Sequence, residues 1–298
     1  MLDGQSRFPK SNRAPLNSRL KVFPPNIEFC SFCGGNRFRT VFEYSEAPAG
    51  EIDLGIFAPQ KYRRTILGCE TCGHYYPTHQ TNPKTLYAGA YNNSTYGSDL
   101  GMQQSFEKLT KLAPEQSDNY GRCNRIERHL HEHIGQYDPA TVSILDIGSG
   151  LGIFPFAMAQ RGYSVTALDP DPKSAAHIRS LANVITLCGD FFELMPPSHY
   201  DVITFNKVPE HVTNPIKMLR RAGFFLTPGG VVYLELPDGE AAESIGFSRE
   251  ELFIDHLHVL SFSSTSLLVD RSGFSALTIE RQQEPSSKRT IRAIATKQ

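Results

Sequence analysis

No apolar stretch in the 298-residue sequence approaches the roughly 20 residues that a membrane-crossing helix requires, so a membrane-spanning protein is not expected. A secretory leader is not expected either. The first twenty residues are polar, are broken by Pro9 and Pro15 and contain no apolar core, which points to the cytoplasm. Net charge is also scarce, at -1, so no global field draws the chain to nucleic acid or to anionic lipid. The charge is uneven, however. Arg7, Lys10, Arg13, Arg19, Lys21, Arg37 and Arg39 face only Asp3 and Glu28 across the first forty positions. That arm is either a phosphate-seeking segment or a solvated, mobile N-terminus.

The chain divides by composition. Residues 1–25 read as a disordered arm, poor in apolar side chains and rich in Pro, Asn, Ser and Arg. Residues 26–80 hold two cysteine pairs between short strand-like runs at Phe38–Tyr44 and Tyr62–Leu67. Residues 81–135 form a linker with turn signals at Asn92-Asn93 and Tyr96-Gly97, then a helix whose apolar stripe is Ile126, Leu130 and Ile134. Residues 136–298 alternate strands with helices. Strands are expected at 142–147, 164–168, 184–187, 201–205 and 231–236, helices at 153–161, 173–182 and 215–225. A last helix at 265–271 precedes two closing strands at 274–281 and 290–296, placed as an antiparallel hairpin. Such alternation gives an α/β fold, a parallel sheet covered on both faces.

The densest signal is Ile144-Leu145-Asp146-Ile147-Gly148-Ser149-Gly150-Leu151-Gly152, which ends a strand and opens a helix. Glycines there let the main chain turn sharply beneath a ligand. A nicotinamide dinucleotide loop would need its third glycine at position 153, which is Ile153. The spacing is instead G-x-G-x-G, and the preceding Asp146 would repel a pyrophosphate but suits a cationic ligand.

With these residues the sequence resembles the class I S-adenosylmethionine (SAM) dependent methyltransferases. An acid followed by G-x-G-x-G is their first motif, and Asp146 to Gly152 matches it in full. Thr166-Ala167-Leu168-Asp169, followed by Pro170, resembles their second strand, whose terminal acid holds the ribose. Cys188-Gly189-Asp190-Phe191 resembles the loop whose acid meets the adenine amino group. Tyr200-Asp201-Val202-Ile203 and Leu226-Thr227-Pro228-Gly229-Gly230 resemble the fourth strand and the turn before the fifth. The resemblance implies a Rossmann-like sheet of seven strands, the last antiparallel. It also implies a SAM site at Asp146, Gly148, Ser149, Gly150, Gly152, Asp169, Pro170, Asp190, Phe191 and Asn206. Asp169 could otherwise cap the next helix, and Asp190 could be an ordinary turn residue.

Cys30-x-x-Cys33 and Cys69-x-x-Cys72 are each followed by glycine. Two such knuckles a few tens of residues apart fit a tetrahedral zinc site made of four cysteines. Four protein ligands leave no open position, so the metal would be structural. Cys123 and Cys188 read as plain thiols.

The segment Asn206-Lys207-Val208-Pro209-Glu210-His211-Val212-Thr213-Asn214-Pro215 resembles a Leu-Glu-His-Val-x-Asp-Pro run of small-molecule methyltransferases, with Pro209 in place of leucine. Leu234-Glu235-Leu236-Pro237 and Asp255-His256-Leu257-His258-Val259-Leu260-Ser261 resemble parts of the deoxysugar C-methyltransferases, which also begin with a double C-x-x-C module. That likeness implies a small-molecule acceptor, a nucleotide-linked sugar or saccharide intermediate. It makes His256 the base, Asp255 its orienting carboxylate, His211 an accessory group, and Tyr96 or Asn206 the holder of a developing oxyanion. Both histidines could instead be locally bonded structural residues. Two other classes remain open: a zinc-ribbon RNA methyltransferase, favoured by the basic arm and Arg63-Arg64, and a non-catalytic binding protein on the same fold.

Overall fold

The computed structural model describes residues 27–51, 53, 62–79, 98–195 and 197–298. The basic arm, the turn signals at Asn92-Asn93 and Tyr96-Gly97, and Tyr96 itself lie outside the described residues.

The cysteine region forms an antiparallel sheet of β1 (Phe38–Tyr44), β2 (Arg64–Cys69) and β3 (Tyr75–His79), in that order. β2 begins two residues later than expected, because its register pairs Tyr44 with Arg64 and Phe38 with Cys69. β3 was not anticipated. Pro77 argues against a strand, but β3 lies at the edge of this sheet, where a residue without an N–H is tolerated.

Two helices follow, α1 (Asp99–Thr110) and α2 (Asp118–Ile134). α1 falls in the stretch read as turns. It is capped by the Ser98 side chain, and Met102 is its one buried residue, so it carries little apolar periodicity. α2 buries Cys123, Ile126, His129 and Leu130, whereas Ile134, expected on the same stripe, is 55% exposed. The helix ends there at Gly135, one turn past the last core contact.

The alternating region then runs β4 (Ser143–Ile147), α3 (Ile153–Gln160), β5 (Ser164–Asp169), α4 (Pro172–Arg179), β6 (Val184–Cys188), β7 (Tyr200–Asn206), α5 (Pro215–Ala222) and β8 (Leu226–Pro237). The short α6 (Gly239–Ile245), α7 (Phe262–Arg271), β9 (Phe274–Gln283) and β10 (Arg289–Lys297) complete it. The seven-stranded sheet has the order β6-β5-β4-β7-β8-β10-β9. β10 runs against both β8 and β9; the other pairings are parallel. The expected seven-stranded α/β sheet with an antiparallel last strand is therefore present. The strand order reverses between β4 and β7, which opens a crevice above their carboxyl ends. No helix among the described residues is long and apolar enough to cross a membrane.

β8 is tied to α2 by a buried ionic cluster. The Glu235 carboxylate accepts two bonds from Arg122, at 2.9 and 2.5 Å, and lies 3.4 Å from Arg292, which also donates to Glu284 at 2.5 Å. Burial alone would raise the Glu235 pKa, but Arg122 and Arg292 hold it down, to about 2. Removing one partner from such a cluster strands buried charge. Glu235→Ala is expected to cost about 3–5 kcal/mol, read as a lower denaturation midpoint in urea. A change within about 0.5 kcal/mol would contradict this account of how α2 is held.

Candidate functional site

The glycine loop leaves β4 with three glycines at positive φ: Gly148 at 70°, Gly150 at 54° and Gly152 at 71°. Gly148 N–H bonds the Leu168 carbonyl at 2.8 Å, and Gly150 N–H bonds Asp169 Oδ2 at 2.7 Å. Asp169 Oδ1 takes the Asp171 N–H at 2.9 Å. Each Asp169 oxygen thus retains a lone pair. Burial lifts this carboxyl to about 6.

Asp146 sits below the loop, fully buried, and Oδ1 accepts from Thr204 at 2.6 Å and Asn206 Nδ2 at 2.8 Å. Burial raises its pKa to about 6 against these bonds. Bonding to Asp146 fixes the Asn206 amide and leaves its Oδ1 buried with no partner. A buried acceptor without a donor asks for a ligand N–H or O–H.

A cavity of about 570 Å³ opens over these groups. Gly148, Gly150, Asp169, Pro170 and Asn206 line it on one side, His211, Asp255 and His256 on the other. The fold brings these remote segments together through the main chain. The Glu210 carbonyl accepts the N–H groups of Leu257, at 2.8 Å, and His258, at 3.1 Å. The His211 and His256 rings consequently stand with centroids 4.9 Å apart.

The details differ from the expected pairing. His256 Nδ1 donates to the Glu251 carbonyl at 2.7 Å, and His211 Nδ1 donates to the Asp255 carbonyl at 2.9 Å. Asp255 therefore holds His211 through its main chain, where the sequence assigned its carboxylate to His256. Carbonyl oxygens only accept, so in each ring Nδ1 carries a proton, and His256 turns its Nε2 away from that bond.

Five expected cofactor contacts, Asp146, Ser149, Gly152, Asp190 and Phe191, do not line this cavity. Asp190 is exposed, and its Oδ1 takes the Phe192 N–H at 2.8 Å, the ordinary turn role. Phe191 is 2% exposed and packs against Phe205 and Phe225 in the core. Ser149 bonds the Asp146 carbonyl at 3.0 Å, and Gly152 starts α3, so both shape the loop from behind the lining.

Sequence reasoning gave no role to Glu210, which also lines the cavity. Its carboxylate is fully buried and neither oxygen has a hydrogen-bond partner. Burial raises its pKa to about 7, against the opposing charge of His211. Glu210, His211 and His256 bring one donor atom each within 4.8 Å of one another, so a proton or a cation could satisfy the acid. Lys207 was missed as well. It lines the cavity at a left-handed φ of 60°, and burial lowers its pKa. Lys288, at the end of a polar loop, and Arg289, at the start of β10, enter without having given a sequence signal.

Glu210 predicts a pH effect of defined sign. Its folded pKa lies above the ordinary 4.5, so its contribution is complete below pH 4.5 and is lost as pH rises through about 7. Glu210→Gln should therefore gain stability relative to wild type at pH 8, by up to about 3 kcal/mol, and little at pH 4.5. Thermal melts at the two pH values, without added divalent cation, check this; equal shifts at both would contradict it.

At the cysteine knuckles the four thiols converge, all within 4.8 Å of one another. Cys30 and Cys72 sulfurs lie 3.6 Å apart, as do those of Cys33 and Cys69. A tetrahedron of thiolates around zinc has edges of about 3.8 Å, whereas a disulfide spans only about 2.05 Å. The Gly35 N–H, at 3.3 Å from Cys33, and the Tyr76 hydroxyl, at 3.4 Å from Cys30, point at the sulfurs. The module is docked on the site's own scaffold. Tyr75 bridges Val259, Ser261 Oγ donates to the Cys72 carbonyl at 2.5 Å, and His74 Nε2 meets His258 Nδ1 at 3.1 Å.

Comparison with known proteins places this geometry. Ubiquinone biosynthesis O-methyltransferase of Stutzerimonas stutzeri is 29% identical over 135 residues, 43% of this chain and 55% of that protein. The protein of the same name in Nitrosospira multiformis is 32% identical over 156 residues, 47% of this chain and 62% of that one. The chain spans about half the length of the curated relatives it matches. Plantazolicin methyltransferase superposes with a TM-score of 0.52 at 16% identity, covering 70% of this chain and 95% of that one. Magnesium protoporphyrin IX methyltransferase of Synechocystis PCC 6803 gives 0.51 at 16% identity, over 70% and 97%. These two likenesses show the fold. A family model described as a methyltransferase domain matches residues 109–279, more than half of the chain, including the glycine loop, His211 and His256, so the chain belongs to the methyltransferase domain family.

Proposed function

We propose that the chain is a SAM-dependent methyltransferase that acts on a small molecule. The observation that carries this reading is one cavity bounded by the glycine loop on one side and two imidazoles on the other. The residues fit the cofactor. Asn206 Oδ1 needs a donor, the Asp169 oxygens can accept ribose hydroxyls, and the acidic surroundings favour a cation. Gly148, Gly150, Asp169, Pro170 and Asn206 would hold SAM, with Asp146, Ser149 and Gly152 shaping the loop. Asp190 and Phe191, the adenine-side contacts that the resemblance implies, stand outside this cavity's lining. When bound, SAM supplies an electrophilic methyl group on a sulfonium.

The protein's own groups manage the acceptor's proton. His256, fixed by the Glu251 carbonyl, presents Nε2 as the base. His211 stands beside it, and Glu210 behind them can hold a proton near neutral pH. The acceptor class is a nucleotide-linked sugar or saccharide intermediate methylated at carbon. Methylation at oxygen is a second reading, favoured by the name of the curated relatives. A zinc ion in the four-cysteine site is structural. It would fasten the 26–80 module against the loop that carries His256 and His258.

His256→Ala is expected to lower kcat about 100-fold or more while leaving SAM affinity within twofold. Calorimetric titration with SAM and steady-state rates separate the two effects. A kcat within threefold of wild type would remove His256 from the base role.

A further inference from the structure

A second cavity, of about 640 Å³, opens between the first cysteine knuckle and the N-terminal end of α5. Lys217, Arg220, Arg221 and Arg271 line it together with Phe192 and Phe224, and no carboxylate among the described residues does. Many of the other described arginines face carboxylates instead. Arg64, Arg122, Arg125, Arg161, Arg249, Arg281 and Arg292 all pair with acids.

Here the guanidinium groups are held by main-chain carbonyls instead. Arg220 Nη2 donates to the Arg271 carbonyl at 2.7 Å, and Arg271 Nη1 donates to those of Ser31, at 3.0 Å, and Phe32, at 2.9 Å. Arg221 donates to the Phe191 and Leu194 carbonyls at 2.6 and 2.8 Å. Such bonds orient the forks without neutralising them, and leave donors over on each. Lys217 Nζ lies 5.5 Å from the Phe192 ring centre. Phe224, 68% exposed, offers an uncovered aromatic face beside them, with Lys297 Nζ 5.9 Å from its ring centre.

Three oriented guanidinium groups and the Lys217 ammonium, none paired with a carboxylate, beside two phenyl rings match a ligand with adjacent phosphates and a flat base. We infer that this cavity is an anion site for a nucleoside diphosphate group, separate from the methyl-transfer cavity. The volume suits a ligand of that size. The diphosphate is either the tail of the acceptor, in which case the site deepens the reading above, or a free nucleotide. Thr213, Asn214 and Pro215 line this cavity and His211 lines the other, so one loop borders both.

The test uses the full chain saturated with S-adenosylhomocysteine, which blocks adenosine-type binding at the glycine loop. UDP and inorganic pyrophosphate are titrated by calorimetry into wild type, Lys217→Ala, Arg220→Ala and a control, Lys111→Ala, outside the cavity. Both positions in the cavity are exposed, so the fold should survive. Saturable 1:1 binding of UDP is expected, weakened about tenfold to a hundredfold by either cavity variant, unchanged in the control and reduced by salt. UDP competing with the acceptor in methyl transfer would identify the acceptor's own tail; inhibition without competition would identify a separate nucleotide. Either supports the site. No UDP or pyrophosphate binding, equal loss in the control, or tight RNA binding indifferent to UDP would overturn it. The UDP and pyrophosphate titrations do not depend on the methyl-transfer reading, which stands or falls on SAM binding.

Discussion

Gly148→Val abolishes SAM binding, with an expected loss of affinity of at least about 100-fold in calorimetry. Two independent costs combine. The position has φ of 70°, a region costly for any β-branched residue. A Cβ there would also stand 2.6 Å from Val208 Cγ2, closer than nonbonded carbons approach. Val208 precedes the Pro209-Glu210-His211 turn, so the push would reach the imidazoles as well. Gly150 separates protein from ligand constraints. Its φ is 54°, yet a Cβ there meets nothing within 4 Å. Gly150→Ala should cost about 1 kcal/mol of backbone strain and fold normally, so any large loss of affinity in it reports a ligand passing over the loop. Wild-type affinity in Gly148→Val would contradict the site assignment.

Metal removal has the second large effect. One zinc per chain is expected by elemental analysis, and stripping it with a chelator, or Cys72→Ser, should lower the melting temperature by roughly 10 °C or more. Phe32, Cys30, Cys69, Cys72 and Tyr76 belong to the same buried cluster as Leu260 and Leu268, so loosening the knuckles uncovers the catalytic domain. The module also grips Val259, Ser261 and His258, and His258 N–H bonds the Glu210 carbonyl. Activity should fall with the melting temperature. A chain that binds no metal, or melts unchanged after chelation, would remove the structural role.

Much of this was readable from residues alone, for definable reasons. The strands from Ile144 to Leu236 are short, largely apolar runs separated by polar turns with glycine and proline, and that contrast is local. The Asp146 loop and the cysteine pairs carry spacings that a ligand loop and a four-thiolate metal site would each require. What was not readable depends on tertiary context. β3 hid behind Pro77, and α1 has a single buried side chain to signal it. The orientation of His256 by the Glu251 carbonyl leaves no side-chain trace in the sequence. Glu210 stood inside a recognised run, but its importance comes from being buried with both oxygens unpaired, which only the packing of residues 255–258 creates. The diphosphate cavity is likewise assembled from segments 240 residues apart, Ser31 and Arg271.

The most direct test of the account is transfer of labelled methyl from SAM to a panel of nucleotide-linked keto-sugars and phenolic acceptors, with bulk RNA as control, by wild type and His256→Ala. Label in a small molecule that is lost in the variant is the predicted result. Its position, on carbon or oxygen, separates the two acceptor readings. Label in RNA, or none in any small molecule, would contradict the claim that this crevice methylates a small-molecule acceptor.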